Sequence, residues 1–181
     1  AQADLFVSPA SGAYRIGELF SVMVNVNTGG KTINAASSQI NFDNQRLGVV
    51  SIGYSQSIFT LWTQEPSFSN TAGAINFSGG SPNPGFTGAS GAILRVTFKP
   101  KAVGQAPVVF VSGAVHANDG LGTNIVNNLR GALFNILPAA AASPQAPAKK
   151  IEVPPAAPPI VGGKPVDVPI ITSWPAELEE G

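Results

Sequence analysis

The densest run of oxygen-bearing side chains in this sequence is Asn118-Asp119-Gly120-Leu121-Gly122-Thr123-Asn124. Amide, carboxylate and hydroxyl oxygens beside two glycines suit a hard cation such as Ca2+, which takes roughly six to eight oxygen ligands, several of them backbone carbonyls. Asn118, Asp119 and Asn124 are therefore candidate calcium ligands, and Asn27 and Thr28 could add oxygens if their loop folds alongside. The spacing is not that of an EF-hand loop. A competing reading is equally physical: Asp and Asn satisfy their own turn amides while Gly120 supplies a positive φ. No other feature asks for a cofactor.

Catalysis needs convergent acid, base or nucleophile groups. The single histidine, His116, has no partner close in sequence and reads as a strand-end residue. Asp4, Glu18, Asp43, Glu65 and Asp119 could in principle supply a glycosidase pair, but no spacing sets two of them on facing walls of a cleft. Asp43 closes an apolar alternation and opens a turn, the place where an Asp caps backbone amides. No Gly-rich phosphate loop opens a helix. Cysteine is absent, which removes disulfides, thiolate metal sites and a cysteine nucleophile together. The chain reads as non-enzymatic. Trp62 and Tyr54 offer an alternative chemistry, since sugars stack on exposed planar rings and polysaccharide would then be the ligand. Against it, Phe59 and Trp62 equally read as plugs over the end of a core. Asn76-Phe77-Ser78 fits a glycosylation sequon but falls inside an alternating stretch, and it is discounted.

Ten basic and ten acidic residues cancel in the 181, and charged residues make up 11%. Neither a phosphate backbone nor an anionic membrane would find the basic field it needs. No apolar run reaches the length of a transmembrane helix. Low charge, abundant small polar residues and the opening Ala1-Gln2-Ala3, which resembles the start left by a small-residue signal cleavage, fit a secreted or cell-surface bacterial protein.

The elements that must position these groups are strands. Phe20, Val22, Val24 and Val26 alternate with Ser21, Met23 and Asn25; Ser38, Ile40 and Phe42 with Ser37, Gln39, Asn41 and Asp43; Ile75 and Phe77 with Asn76 and Ser78. Leu94, Val96 and Phe98 alternate with Ile93, Arg95, Thr97 and Lys99. Such period-2 patterns belong to half-buried antiparallel strands. The spacing predicts strands over about 4–8, 18–27, 34–43, 47–54, 57–62, 73–79, 89–99, 106–112, 113–117 and 131–137. The expected fold is all-β: an antiparallel two-sheet sandwich of jelly-roll topology with about nine strands. Residues 1–137 form this domain and can bury roughly two-thirds of the unfolded chain's surface. Ten of the sixteen prolines fall from Pro138 onward, so 138–181 is expected to be an extended, Pro/Ala-rich linker or tail. Its Ile170–Glu180 end reads either as a short docking segment or as the point where a longer chain was cut.

One order of segments goes further. Ile33-Asn34-Ala35-Ala36-Ser37-Ser38-Gln39-Ile40-Asn41-Phe42-Asp43 turns at Asn44-Gln45-Arg46, re-enters as Leu47-Gly48-Val49-Val50-Ser51-Ile52, and is followed much later by Ala117-Asn118-Asp119-Gly120. Over residues 3–137 this resembles the cohesin domain, a non-catalytic β-sandwich module that docks partner modules called dockerins. The resemblance implies a dockerin-like protein partner on a flat sheet face, met by Ala35, Ser37, Gln39 and Asn41 on one strand and by Asn76, Ser78 and Gly80 on another. It also raises the expectation of calcium near the Asn-Asp pair. The pattern departs from the family at Ala35 and Ser37, where an Asn and an Asp are familiar, and at Gly80, where an acid is. Charge-assisted hydrogen bonds to a partner are missing there. A divergent dockerin is one reading; a spacer domain in a surface fibre or adhesin is another.

Overall fold

The computed structural model describes residues 2–142. All but the first five residues of the expected 138–181 linker, the Ile170–Glu180 segment included, lie outside the described residues. Eleven strands build the domain: β1 (Ala3–Ser8), β2 (Ser11–Arg15), β3 (Phe20–Asn27), β4 (Ile33–Phe42), β5 (Leu47–Gly53), β6 (Leu61–Ser69), β7 (Ala74–Gly80), β8 (Gly91–Pro100), β9 (Gly104–Ala117), β10 (Val126–Arg130) and β11 (Ala132–Leu137). They form two layers, ordered β10-β1-β3-β8-β5 and β2-β11-β9-β4-β7-β6. No helix occurs among the described residues, so none there is long and apolar enough to cross a membrane.

The sandwich is the expected one, with two corrections. Both sheets are mixed: β1 runs parallel to β10, and β2 runs parallel to β11. The first ribbon changes layer at Pro9-Ala10 and the last at Gly131, so the two cross together as parallel neighbours. The strand set also differs. β2 and β10 are additional edge strands, the segment placed at 57–62 is a loop leading into β6, and 106–117 is one continuous strand.

Residues of the apolar phase fill the space between the layers, with Leu5, Val24, Ile40, Ile75, Phe77, Phe98, Phe134 and Ile136 all fully buried. One end of the core is aromatic. Tyr14 stacks on Phe20 at 3.8 Å between centroids, and Phe20 meets Phe134 at 5.0 Å and Phe98 at 5.6 Å. Ile93 breaks the simple alternation: it is buried beside Leu94 because the β3–β8 register skips from Leu94 to Ala92, a one-residue bulge that turns an extra side chain inward. Asn25 is also buried rather than wet. It lies between Phe6 across β1 and Ala92 across β8, and its amide donates to the Met23 carbonyl at 3.3 Å.

The β4–β5 turn is held by Asp43. Its Oδ1 accepts the Gln45 amide at 2.9 Å and its Oδ2 accepts from Arg46 at 2.6 Å, while Arg46 also donates to the Val103 carbonyl at 3.3 Å. Burial pushes the Asp43 carboxyl up, but the Arg46 and Gln45 hydrogen bonds and the Arg46 charge outweigh it, and the group sits below its ordinary value. A depressed folded pKa contributes stability that is present above the unfolded value near 3.9 and is lost as pH falls through the folded one. Asp43→Asn should therefore cost about 1–2 kcal/mol at neutral pH. Urea melts between pH 7 and pH 2.5 should show the variant losing less stability on acidification than the parent.

Candidate docking face

The outer face of the second sheet brings together every residue assigned to a partner surface. On β4, Ala36, Ser38, Ile40 and Phe42 point into the core, leaving Ala35, Ser37, Gln39 and Asn41 half-buried on the outside. The antiparallel register with β7 sets Asn76 beside Gln39, Ser78 beside Ser37 and Gly80 beside Ala35. Hydrogen bonds fix part of this surface: Gln39 Nε2 donates to Asn41 Oδ1 at 3.4 Å, and Thr63 of β6 donates to Ser78 Oγ at 2.8 Å. Gly80 has a steric cause. A Cβ there would overlap the Asn34 carbonyl and sit 3.2 Å from the Ala35 Cβ, so this backbone leaves no room for the acidic side chain familiar at that position.

The other flank of the face was not foreseen. β9 lies on the far side of β4, with Val109 opposite Asn41, Ser112 opposite Gln39, Ala114 opposite Ser37 and His116 opposite Ala35. Val111 is the extra residue of a bulge between Phe110 and Ser112. Beyond β9, Leu133 of β11 pairs with Pro107. Val109, Val111 and Leu133 are 47%, 54% and 46% exposed, so an apolar strip borders the small polar surface. The available signal was the run Pro107-Val108-Val109-Phe110-Val111, whose continuous apolarity hides which residues face out.

Charge on this sheet is confined to its two edge strands, Arg15 on β2 and Glu65 on β6. β4, β7, β9 and β11 contain no Asp, Glu, Lys or Arg. Asp4, Arg95, Lys99 and Arg130 all belong to strands of the opposite sheet, where Arg130 pairs with Asp4 at 3.2 Å.

Trp62 and Tyr54 lie elsewhere. Trp62 pairs with Gly79, whose neighbours Phe77 and Ala36 face the core, and its ring occupies the space that a Cβ on Gly79 would need. It packs edge-on against Tyr54 at 5.2 Å and the buried Phe59 at 5.9 Å. The Tyr54 hydroxyl donates to Glu65 at 3.4 Å; the Glu65 charge, with some burial and that hydrogen bond, pushes the phenol up. The pair seals the side of the sandwich between β5 and β6.

Hydrogen bonds within the Asn118–Asn124 loop and to its neighbours engage its polar side chains. Asn118 Nδ2 donates to the Pro84 carbonyl at 3.1 Å, Asp119 Oδ1 accepts the Leu121 amide at 2.9 Å, and Asn124 Oδ1 accepts the Val115 and Val126 amides, each at 3.1 Å. Hydrogen bonds from the Thr123 hydroxyl and the Leu121 amide hold the Asp119 carboxyl below its ordinary value. Asn27 and Thr28 are engaged apart from it, with the Gly29 amide at 2.9 Å and the Gly88 amide at 3.1 Å. His116 Nδ1 lies 3.0 Å from the Gly122 carbonyl at the end of β9, the strand-end place expected for it. Among the described residues no three His, Asp or Glu side chains cluster as a metal site would require.

Comparison with known proteins bears on this fold. A family model described as Cohesin domain matches residues 6–128. No curated protein matches the chain. Among solved structures, the seventh ScaB type I cohesin from Pseudobacteroides cellulosolvens superposes with a TM-score of 0.65 at 15% identity, covering 80% of this chain and 98% of that one. The third ScaC cohesin of Acetivibrio cellulolyticus, solved in complex with the ScaB dockerin, gives 0.61 at 18% identity over 75% and 99% of the two chains. A non-cellulosomal cohesin from the archaeon Archaeoglobus fulgidus gives 0.60 at 15% identity over 76% and 92%.

Proposed function

This chain belongs to the cohesin domain family, and from that premise we propose that it is a non-catalytic attachment module that docks a dockerin-type partner on the outer face of β9-β4-β7-β6. The observation that carries the reading is the face itself. Ala35, Ser37, Gln39, Asn41, Asn76, Ser78 and Gly80 share one outer, half-buried sheet surface. Short polar side chains there can hydrogen-bond a partner at little entropic cost. Solved relatives include cohesins captured with dockerins, such as the Coh-OlpC–Doc435 complex of Clostridium thermocellum. Export to the cell surface suits this role and the chain's low charge. The linker from residue 138 would hold the module clear of its neighbours.

Calorimetric titration against each dockerin module encoded in the source genome tests the proposal. Binding by at least one is expected, and Ser37→Arg with Asn76→Arg should weaken it at least about 30-fold while the melting curve stays put. A binder indifferent to both substitutions would move the site elsewhere.

We read the Asn118–Asn124 loop as a self-capped turn that fastens β9 to β10, in preference to a calcium site. Its side-chain oxygens already take the amides of Val115, Leu121 and Val126. EDTA should leave the melting temperature of the chain unchanged, and calorimetry should register no calcium uptake. A rise in Tm with millimolar calcium would reverse this reading.

A further inference from the structure

We infer that the partner meets this face with an uncharged, apolar surface seated on the Pro107–Val109–Val111–Leu133 strip, and that no ion pair crosses the interface. The inference rests on the docking reading above and specifies the partner's chemistry. Three observations carry it. First, the four central strands β11, β9, β4 and β7 carry no Asp, Glu, Lys or Arg, and the charges of the two edge strands are already engaged, Glu65 of β6 by the Tyr54 hydroxyl at 3.4 Å and Arg15 of β2 by the Pro138 carbonyl at 3.2 Å. A charged partner group buried over the four central strands would be dehydrated with no opposite charge to compensate it. That cost selects against charged partners as firmly as any contact selects for a neutral one.

Second, the face has somewhere to anchor an apolar group. Val109, Val111 and Leu133 are each about half exposed: Val109 and Val111 follow one another along the outer side of β9, and Leu133 lies beside that strand, paired with Pro107 two residues before Val109. A contiguous exposed apolar strip beside polar residues marks an interaction site. Third, the size suffices. The ten residues of β4, at about 3.3 Å per residue and across four strands about 4.8 Å apart, define a face on the order of 600 Å². Specific interfaces begin at roughly 600 Å² per side, so the face reaches the lower end of that range.

An interface without ion pairs is little screened by salt. The test uses the full chain and the same genome-encoded dockerin modules, titrated in 50 mM and 1 M NaCl. The expected result is a dissociation constant that changes less than about threefold between the two. Val109→Asp and Leu133→Asp should each weaken binding about 100-fold or more, whereas Val109→Ile should keep it. Melting temperatures within about 3 °C of the parent's would separate lost binding from lost folding. A loss of affinity above about tenfold in 1 M NaCl would overturn the neutral-partner inference while leaving the docking reading intact. So would a partner blocked by Ser37→Arg but indifferent to both strip substitutions. If sedimentation equilibrium found the chain dimeric through this face, with Val109→Asp dissolving the dimer, a second copy would be the occupant and the inference would fall. Should no dockerin bind, the docking reading fails and this inference goes with it.

Discussion

Phe98→Ala should remove about 3–5 kcal/mol of stability, the range for emptying a buried aromatic site. Phe98 is fully buried on β8, cross-paired with Phe20 on β3 and Val49 on β5, and its ring meets Phe20 and Phe42 at 5.6 Å each. Truncation would take away one side of the contacts that hold Phe20 against Tyr14 and Phe134. Neighbouring strands on both sides fix the β8 backbone, so the void has little freedom to collapse. Since domains of this size carry only about 5–15 kcal/mol, the change removes about a fifth or more of the margin. Urea unfolding with an unchanged m-value checks it. A loss near 1 kcal/mol would mean that the aromatic cluster repacks around the gap.

Trp62→Ala should cost about 2–4 kcal/mol, somewhat less than a fully enclosed tryptophan would. The ring covers Gly79 and wedges between Tyr54 and Phe59, closing the flank where β6 has no further strand beside it. Gly79→Val should be damaging in the same way, since its side chain would occupy the volume that the indole fills. Pull-downs on cellulose, chitin and peptidoglycan discriminate this role from sugar recognition. Retention on a polysaccharide, abolished by Trp62→Ala with the melting curve unmoved, would reinstate the carbohydrate reading.

Alternation made most of the sandwich legible. β3, β4, β7 and β8 show period two clearly because one face of each is packed and the other wet. The failures have physical causes. β2, Ser11-Gly12-Ala13-Tyr14-Arg15, has almost no apolar residue to set a phase; it is a strand because β11 pairs with it. The parallel pairings join residues more than a hundred positions apart, and no local pattern encodes them. The bulges at Ile93 and Val111 each insert one residue, after which every side chain changes face. The same slip explains what was and was not visible of the docking face. Its β4 and β7 members could be read outward from the alternation. Val109 and Val111 could not, because the flanking Val108 and Phe110 are apolar too, and only the register with β4, with its bulge at Val111, says which residues face out.

The parallel pairing of the outermost ribbons has a mechanical consequence. Tension that draws the start of β1 away from the finish of β11 pulls each ribbon lengthwise past a neighbour running the same way. The load then falls in shear on the whole ladder: four residue pairs between β1 and β10, and five between β2 and β11. An antiparallel hairpin tugged from adjacent ends would instead unzip one rung after another. A tether built in this manner yields late under pulling, however modest its equilibrium stability.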